Sequence, residues 1–412
     1  MKSFLKWLYP GMRVKRWIVM VILGILIIIV ASSLFLPNPF KVVRILGWVV
    51  VGLGIVIIGI GIGNIMLSLI NLFLPQRSKD LVSILFQKRY LEKGPKIVAV
   101  GGGSGLSVLL HGLKEFSNNI TAIVTVADDG GSSGRIREEF GILPPGDIRN
   151  CLVALADAEP LMRDLFQFRF DKGTALEGHS FGNLFIAAMT NLTGDFEVAV
   201  KESSKILAIR GRVIPSTLEK VRLVAEFTDG SQVEGEAKIP KKNAPIKNVY
   251  LKPTGSQPTK DAVQAIEEAD IIVLGPGSLY TSIIPNLLVK GIADAIVVSR
   301  VPKVYICNVM TQPGETDGFT AYDHVKALIS HANKDIINTC VVNVAKAPRE
   351  LLGRYEKEKS FPVIADSERI KQLGYRVIEE KIISLADFVR HDPEKLSKII
   401  VGVSERQKNI KR

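Results

Sequence analysis

The stretch that most constrains the fold is residues 96–157. A short apolar run, residues 96–100, leads into a loop made almost entirely of glycine: Gly101, Gly102, Gly103, Ser104 and Gly105. Leucines at helical spacing follow, and a second β-branched run, residues 120–126, ends in another polar, glycine-rich loop. The order strand, glycine loop, helix, strand and polar loop predicts the first half of a nucleotide-binding α/β domain.

The glycine loop has the composition of a phosphate-binding turn. Backbone N–H groups at a helix start attract phosphate oxygens, and glycine lets a ligand approach the backbone closely. However, Leu106 stands where the dinucleotide fingerprint has its third glycine, and no Gly-Lys-Ser/Thr follows. The loop is therefore neither that fingerprint nor a P-loop. A tight strand-to-helix turn without a ligand is the alternative.

Two acidic strings follow the glycine loop. Asp128 and Asp129 precede Gly-Gly-Ser-Ser-Gly, and Asp147 lies in the string Pro-Pro-Gly-Asp-Ile-Arg-Asn. These carboxylates suit Mg²⁺, which binds through one or two carboxylates and takes phosphate oxygens and water as its other ligands. Arg135 or Arg149 would then hold a diphosphate. Two alternatives remain open: the aspartates cap helices and turns, or the acid after the second strand binds a ribose.

Two later strands also end in glycine- and hydroxyl-rich loops. The run 304–307 is followed by the polar loop 308–316. The run 270–274 is followed by Gly275, Gly277 and Ser278. If these strands are parallel, their loops and the first glycine loop share the carboxyl edge of one sheet, where open α/β folds bind ligands. We therefore expect the three loops to converge on one ligand.

A further polar string, residues 178–183, opens a long helix. It contains His179 and Asn183, which either face a ligand or cap a buried helix start. No Ser/His/Asp or Cys/His arrangement for a nucleophile stands out elsewhere in the sequence. The residues therefore predict a ligand site better than they predict a reaction.

Between the two halves of the α/β pattern the periodicity becomes that of strands. Apolar and polar residues alternate over 221–227 and again over 233–239, with an Asp-Gly turn between the two runs. This pattern predicts a half-solvated antiparallel hairpin, inserted at residues 211–255.

The first part of the chain has the composition of a membrane anchor. Residues 17–36 and 45–74 carry no charge, and each run can cross a hydrocarbon core of about 30 Å as a helix. Basic residues flank the pair on both outer sides: Lys2, Lys6, Arg13, Lys15, Arg16, Arg77, Lys79, Lys88 and Arg89. The positive-inside rule then predicts that both termini are cytoplasmic. A signal peptide is the alternative for the first run, although no small-residue cleavage pattern is convincing.

These observations predict three regions: a transmembrane hairpin at residues 1–75, a juxtamembrane linker at 76–95 and the nucleotide-binding domain at 96–412. In the second apolar run, Gly59 and Gly63 have the GxxxG spacing that allows close packing of membrane helices, or they reflect ordinary glycine usage there.

The charge and the cysteines exclude other classes. Of the net charge of +12, most lies in residues 1–95, which hold 12 Lys or Arg and 2 Asp or Glu; the remaining 317 residues hold 41 and 39. Because the domain has no basic stripe with interleaved aromatic residues, we do not expect it to bind nucleic acid. The 3 cysteines are far apart with no CxxC, which is typical of reduced core thiols in the cytosol.

Five strings, in order, resemble the YvcK proteins, the gluconeogenesis factors of the CofD-like family: residues 101–105, 126–134, 144–150, 178–183 and 275–282. The resemblance covers residues 96–412, and the membrane runs are an addition to it. It implies a Rossmann-like fold and a UDP-sugar ligand, notably UDP-N-acetylglucosamine, with roles in cell shape and growth on gluconeogenic carbon. The CofD branch implies an alternative, a Mg²⁺-dependent transferase that moves a phospholactyl-type group from a nucleotide diphosphate carrier to the deazaflavin Fo.

The resemblance also extends the candidate site. The fifth string adds Tyr280 and Thr281 as ligand-binding positions. Two C-terminal strings match as well; in them Tyr355 would be a platform for the base, and Arg390 would reach a phosphate or stack on the base. The alternatives are that Tyr355 packs under a loop and that Arg390 pairs with a surface carboxylate. A homo-oligomer and a protein partner in envelope synthesis are compatible with the resemblance, and the residues decide neither.

Overall fold

The computed structural model describes residues 15–34, 40–73, 89–158, 160–171, 173, 176–384 and 389–410. They fall into two compact units, which divide between residues 88 and 89. Part of the predicted linker, and several of the basic residues used to predict the topology, lie outside the described residues: Lys2, Lys6, Arg13, Arg77, Lys79 and Lys88.

The first unit contains two apolar helices, α1 (Lys15–Leu34) and α2 (Lys41–Phe73). Gly24 lies against Gly54, and Gly61 lies against Trp17, so the helices are antiparallel. A Cβ at any of these three glycines would collide with the facing helix, which is why the backbones can approach so closely. Each helix is long and apolar enough to cross a membrane.

Gly59 and Gly63 are not part of this contact, because a Cβ at either position would meet nothing within 4 Å among the described residues. The packing face of α2 instead follows the seven-residue spacing of Gly54 and Gly61, which places both on one side of the helix. For Gly59 and Gly63, the alternative of ordinary glycine usage in a membrane helix therefore holds.

The second unit begins with a short helical stretch at residues 89–92, and its described residues contain twelve strands. Their bounds are β1 (Ile97–Gly101), β2 (Ile120–Val124), β3 (Arg212–Pro215), β4 (Arg222–Phe227), β5 (Gln232–Glu234), β6 (Ile246–Lys252), β7 (Ile271–Leu274), β8 (Lys303–Ile306), β9 (Thr339–Asn343), β10 (Arg376–Glu380), β11 (Ile383–Ser384) and β12 (Arg390–His391).

Its helices are α3 (Gly103–Leu113), α4 (Gly131–Phe140), α5 (Gly146–Leu155), α6 (Pro160–Gln167), α7 (Phe181–Thr193), α8 (Phe196–Ile206), α9 (Lys260–Glu267), α10 (Ile284–Leu287), α11 (Ile292–Val298), α12 (Ala321–Ala332), α13 (Arg349–Lys357), α14 (Ser367–Gln372) and α15 (Pro393–Ile410). Asp392 caps the start of α15, since its Oδ1 accepts the N–H groups of Glu394 and Lys395 at 3.0 and 3.1 Å.

Seven strands form one parallel sheet in the order β10-β9-β8-β7-β1-β2-β3. β1, β2 and β7 are buried along their whole length, because helices cover both faces of the sheet. The chain goes from β1 outward to β2 and β3, and later returns to β7 on the other side of β1. The predicted parallel α/β fold is confirmed, and its topological switch point lies between β1 and β7.

The insertion is a three-stranded antiparallel sheet in the order β5-β4-β6, one strand more than the predicted hairpin. β3 lies in the range predicted for the insertion but pairs with β2 in the parallel sheet. The second alternating run does not stay extended to residue 239, because the chain leaves the strand at Gly235 with φ +112°. The Ala237 N–H there donates to Asp129 Oδ1 at 2.9 Å instead of to a neighbouring strand.

Candidate functional site

The loops after β1, β7 and β8 converge, as predicted, on one cleft of about 460 Å³. This volume lies in the range of about 300–1,000 Å³ that is typical of small-molecule sites. We call it the glycine-loop cleft; its loop walls are Gly103, Ser104, Gly105, Pro276, Gly277, Ser278 and residues 308–313.

Glycines allow the first two loops to touch. A Cβ at Gly105 would lie 2.7 Å from the Pro276 carbonyl oxygen, and Gly103 has φ +64°, which glycine adopts without strain. α3 begins directly in this cleft and has no side-chain cap. Its first-turn N–H groups are therefore available to an anion, apart from that of Gly103, which donates to Asp147.

Tyr355 and Arg390 form the opposite wall of the glycine-loop cleft. The Tyr355 hydroxyl accepts the Val389 N–H at 3.0 Å, which ties α13 to the segment that enters β12. Tyr355 is half-buried, so part of its ring is available for contact with a ligand. The structure thus brings the two predicted C-terminal residues into the same cleft as the glycine loops.

A second, acidic pocket of about 270 Å³ lies at the first turns of α4 and α5. Both helices begin without a side-chain cap. Asp128 lines the pocket and accepts the Gly130 N–H at 2.9 Å. Asp147 also lines it, and its carboxylate lies so close to Gly102 that a Cβ there would collide with it. The acidic pocket and the glycine-loop cleft therefore meet at the start of α3.

The insertion supplies a third acid, Glu236, which the sequence reasoning missed. Its side chain hydrogen-bonds with Asp128. Burial, followed by the charges of Asp128 and Asp147, raises the pKa of Glu236 far above its ordinary value. Burial beside Asp128 therefore favours the protonated form of Glu236, whose carboxyl can donate to the Asp128 carboxylate. No motif marks this residue, since only the long-range fold brings its turn to the pocket.

Other carboxyl groups near this centre are also perturbed. Burial raises the pKa of Asp147 to about 7, with Asp128 as the next cause, and the Gly103 N–H acts in the opposite direction. Burial likewise raises the pKa of Glu315 to about 7, against the hydrogen bonds from Thr281 and the Tyr280 N–H. The protein holds these acids where ionising all of them together is unfavourable unless a cation is present.

The acids fit Mg²⁺ only in combination with a ligand. Among the described residues, no group of three or more His, Cys, Asp or Glu side chains is arranged to hold a metal ion. Asp128 and Asp147 could supply the one or two carboxylates that Mg²⁺ takes from a protein when phosphate oxygens and water complete its shell. The carboxylate of Asp129 is instead engaged by the insertion turn, through the Ala237 N–H.

The two candidate arginines lie in different surroundings. Arg149 is 7% exposed and lines the acidic pocket. Burial lowers its pKa to about 10, with Arg169 as the next cause, so Arg149 remains charged at neutral pH. Arg135 is on the exposed side of α4, lines neither the acidic pocket nor the glycine-loop cleft, and donates to the Glu177 carbonyl at 2.7 Å.

His179 and Asn183 fasten the start of α4. His179 Nδ1 lies 3.2 Å from Ser132 Oγ, and Asn183 Nδ2 donates to the same oxygen at 3.1 Å. Asn183 also lines the acidic pocket, whereas His179 does not line it. Burial, followed by the charge of Arg135, lowers the pKa of His179, so its neutral form is favoured.

Tyr280 and Thr281 face the core and not the glycine-loop cleft. Tyr280 is 3% exposed and packs edge-on against Phe319 and His331. Thr281 Oγ1 lies 3.3 Å from the Glu315 carboxylate. Residues 279–283 form a helical turn, so successive side chains of the string 275–282 point to different sides of that turn. Ser278 and Ser282 are the ones that line the cleft.

Comparisons with known proteins agree with this architecture. A family model described as 2-phospho-L-lactate transferase CofD matches residues 97–383. The gluconeogenesis factor of Bacillus subtilis is 54% identical over 310 residues, which cover 75% of this chain and 98% of the relative. A Nostoc sp. relative is 46% identical over 420 residues, which cover 97% of this chain and 92% of the relative.

A solved structure also matches the second unit. The crystal structure of a UPF0052-family protein from Bacillus halodurans is 50% identical, with a TM-score of 0.73, and the match covers 75% of this chain and 99% of that one. The glycine and acidic loops described above lie inside the span that the CofD model matches. With these sequence and structural matches, the chain belongs to the YvcK gluconeogenesis factors of the CofD-like family.

Proposed function

We propose that this protein is a membrane-anchored, cytoplasmic sensor of UDP-sugars, notably UDP-N-acetylglucosamine, that links gluconeogenic carbon supply to cell-envelope synthesis and cell shape. The observation that carries the proposal is the glycine-loop cleft, where three loops from one sheet edge face Tyr355 and Arg390. Helices α1 and α2 would be the anchor, and a protein of envelope synthesis would be the partner that reads the signal.

The cleft has a place for each part of a nucleotide-sugar. The uncapped start of α3 and the loop 276–278 offer N–H groups to the diphosphate. The half-buried ring of Tyr355 offers a stacking surface to the base, and the Arg390 guanidinium can bind a phosphate or the base. Mg²⁺ at Asp128 and Asp147 would offset diphosphate charge from the acidic-pocket side.

Thermal unfolding of the full chain in detergent micelles tests the proposal. UDP-N-acetylglucosamine at a hundredfold over its Kd should stabilise the fold by about 2.7 kcal/mol. Arg390→Ala should weaken binding by about tenfold or more, because a charged hydrogen bond is lost. Arg376→Ala, on the exposed β10, is the matched control and should bind as the wild type does. An unchanged unfolding temperature with UDP-N-acetylglucosamine and UDP-glucose would contradict the sensor.

A separate variant tests whether Mg²⁺ binds in the acidic pocket. Asp128→Asn should remove the extra affinity that Mg²⁺ gives over EDTA, while the domain stays folded, because Asp128 lines a polar pocket. Unchanged Mg²⁺-dependent binding in Asp128→Asn would mean that Asp128 is only a turn cap for Gly130.

A transferase is the second candidate function. It is favoured by the acidic pocket, where Asp128 and Asp147 lie beside the start of α3 and Glu236 hydrogen-bonds with Asp128. Asp128 and Asp147 would hold Mg²⁺, which would supply Lewis-acid stabilisation of phosphate charge next to a bound diphosphate. Turnover of Fo with a GDP-linked phospholactyl donor, without any shift by UDP-sugars, would favour this function over the sensor.

A further inference from the structure

A larger cavity, of about 870 Å³, lies beside the glycine-loop cleft. It is enclosed by the faces of α3, α5 and α6, together with β12 and the start of α15. We call it the arginine cavity after the four cations in its wall, Arg149, Arg163, Arg169 and Arg390. The loops 276–278 and 308–313, which characterise the glycine-loop cleft, do not line it.

Among the described residues, the wall of the arginine cavity holds more cations than acids. Asp164 is the one acid among its described lining residues, and Asp128 and Asp147 act on Arg149 from the adjoining acidic pocket. In the described part of the chain, no carboxylate pairs within 4.0 Å with Arg149, Arg163 or Arg169. The Nε atoms of Arg149 and Arg163 are buried and have no hydrogen-bond partner among the described residues. Buried donors without a partner are costly, so the wall is arranged for an anion from outside the chain.

The rest of the wall suits hydroxyl groups. Serines, an amide pair and a neutral imidazole provide donors and acceptors: Ser104, Ser107, Ser384, Asn150, Gln167 and His391. Burial lowers the pKa of His391 to about 4, so the ring is neutral at pH 7 and one of its nitrogens accepts while the other donates. Neither ring nitrogen has a hydrogen-bond partner among the described residues.

We propose that the arginine cavity binds a phosphorylated polyol, of the size of a sugar phosphate, as a second ligand beside the nucleotide. Guanidinium groups match phosphate oxygens in charge and in bidentate geometry. The neutral polar groups match the hydroxyls of a polyol, and the volume admits a molecule of this size. Arg390 and Ser104 line both cavities, so the two ligands would lie next to each other. The arginine cavity would bind this second ligand whichever nucleotide occupies the glycine-loop cleft.

Calorimetry on the full chain in detergent micelles tests this second site. The probes are glucose 6-phosphate and glycerol 3-phosphate, with glucose as the uncharged comparison. We expect both phosphates to bind and glucose not to bind. Arg163→Gln removes a cation, and Gln167→Glu adds a like charge to the ligand; each should weaken phosphate binding by about tenfold or more. Neither residue lines the glycine-loop cleft or the acidic pocket, so UDP-N-acetylglucosamine binding should stay unchanged.

Arg376→Gln is the matched control for loss of a positive charge, since Arg376 is exposed on β10. The proposal is overturned if neither phosphate binds, or if both variants bind them as the wild type does. It is also overturned if Arg163→Gln loses the UDP-sugar together with the phosphates, because the cavity would then be part of the nucleotide site. Phosphate binding without any UDP-sugar binding would refute the sensor and leave the second site standing.

Discussion

Glu315 is the residue whose chemistry gives the clearest dependence of stability on pH. Burial raises its pKa from an ordinary 4.5 to about 7. Between these values the folded state binds more protons than the unfolded state, so the free energy of unfolding falls as the pH rises from about 4.5 to about 7. Glu315→Gln cannot ionise and should therefore be more stable than the wild type at pH 8, by up to about 3 kcal/mol, and nearly equal to it below pH 4.5.

Denaturant unfolding at pH 4.5 and pH 8 measures this difference. Glu138→Gln, at an exposed position of α4, serves as the control and should follow the wild type at both pH values. If Glu315→Gln and the wild type lose stability in parallel, another group governs the titration and Glu315 is ionised without cost.

For single residues of the candidate site, the sequence predicts some of the residues that come together and misses others. Asp128 and Asp147 reach one pocket because each follows a strand or opens a helix at the same sheet edge, and such positions can be read from local patterns. Glu236 reaches Asp128 through a turn about a hundred residues away along the chain, for which the local pattern indicates only a half-exposed strand. Tyr280 shares the motif string of Ser278, but the helical turn at 279–283 directs it into the core.

The insertion is the element that brings Glu236 to Asp128, and Gly235 is the residue on which the shape of its turn depends. Gly235 has φ +112°, and a Cβ there would collide with the Asp129 carboxylate. Gly235→Ala should therefore destabilise the domain by about 1–3 kcal/mol and displace Glu236 from Asp128. Thermal unfolding measures the first effect, and Mg²⁺-dependent nucleotide binding measures the second.

Gly230→Ala tests the effect of backbone strain separately from the displacement of Glu236. Gly230 also has a positive φ, of +80°, but a Cβ there would meet nothing within 4 Å among the described residues. This variant should lose stability without losing Mg²⁺-dependent binding. Equal binding losses in both variants would mean that the position of Glu236 is irrelevant to the acidic pocket.

The segment that carries Arg390 depends on a neighbouring element, α13. Because the Tyr355 hydroxyl accepts the Val389 N–H, Tyr355→Phe keeps the ring but releases this tie. Nucleotide affinity should fall by about 1 kcal/mol in Tyr355→Phe. It should fall by about 1–3 kcal/mol in Tyr355→Ala, which also loses the stacking surface.

Calorimetry with UDP-N-acetylglucosamine ranks these variants. Tyr250→Phe removes a comparable hydroxyl contact, to Gln232 in the insertion, and should leave affinity unchanged. Equal affinity in the wild type, Tyr355→Phe and Tyr355→Ala would show that Tyr355 only packs under its loop.

The parallel strands and their loops could be predicted from the sequence because strand runs and glycine breaks are local signals. The hydrogen bond that ties α13 to the segment before β12 could not, because it is a long-range contact.

For the whole molecule, the distribution of charge predicts how the chain is oriented across the membrane. The excess of basic residues lies before residue 95, while the rest of the chain is nearly neutral. The two apolar helices are each long enough to span, and an even number of spans returns the chain to its starting side. We therefore expect both termini and the α/β domain in the cytoplasm, with the short connection outside.

Cysteine labelling in intact cells tests this topology. The native thiols Cys151, Cys307 and Cys340 are free and buried, so a membrane-impermeant maleimide should leave them unmodified in the folded protein. Asn38→Cys, between the two spans, should be labelled from outside. Lys381→Cys, at an exposed position of the domain, should be labelled only after the membrane is permeabilised. Labelling of Lys381→Cys in intact cells would place the nucleotide site outside the membrane, away from a cytoplasmic pool of UDP-sugar, and would remove both the topology and the sensor that depends on it.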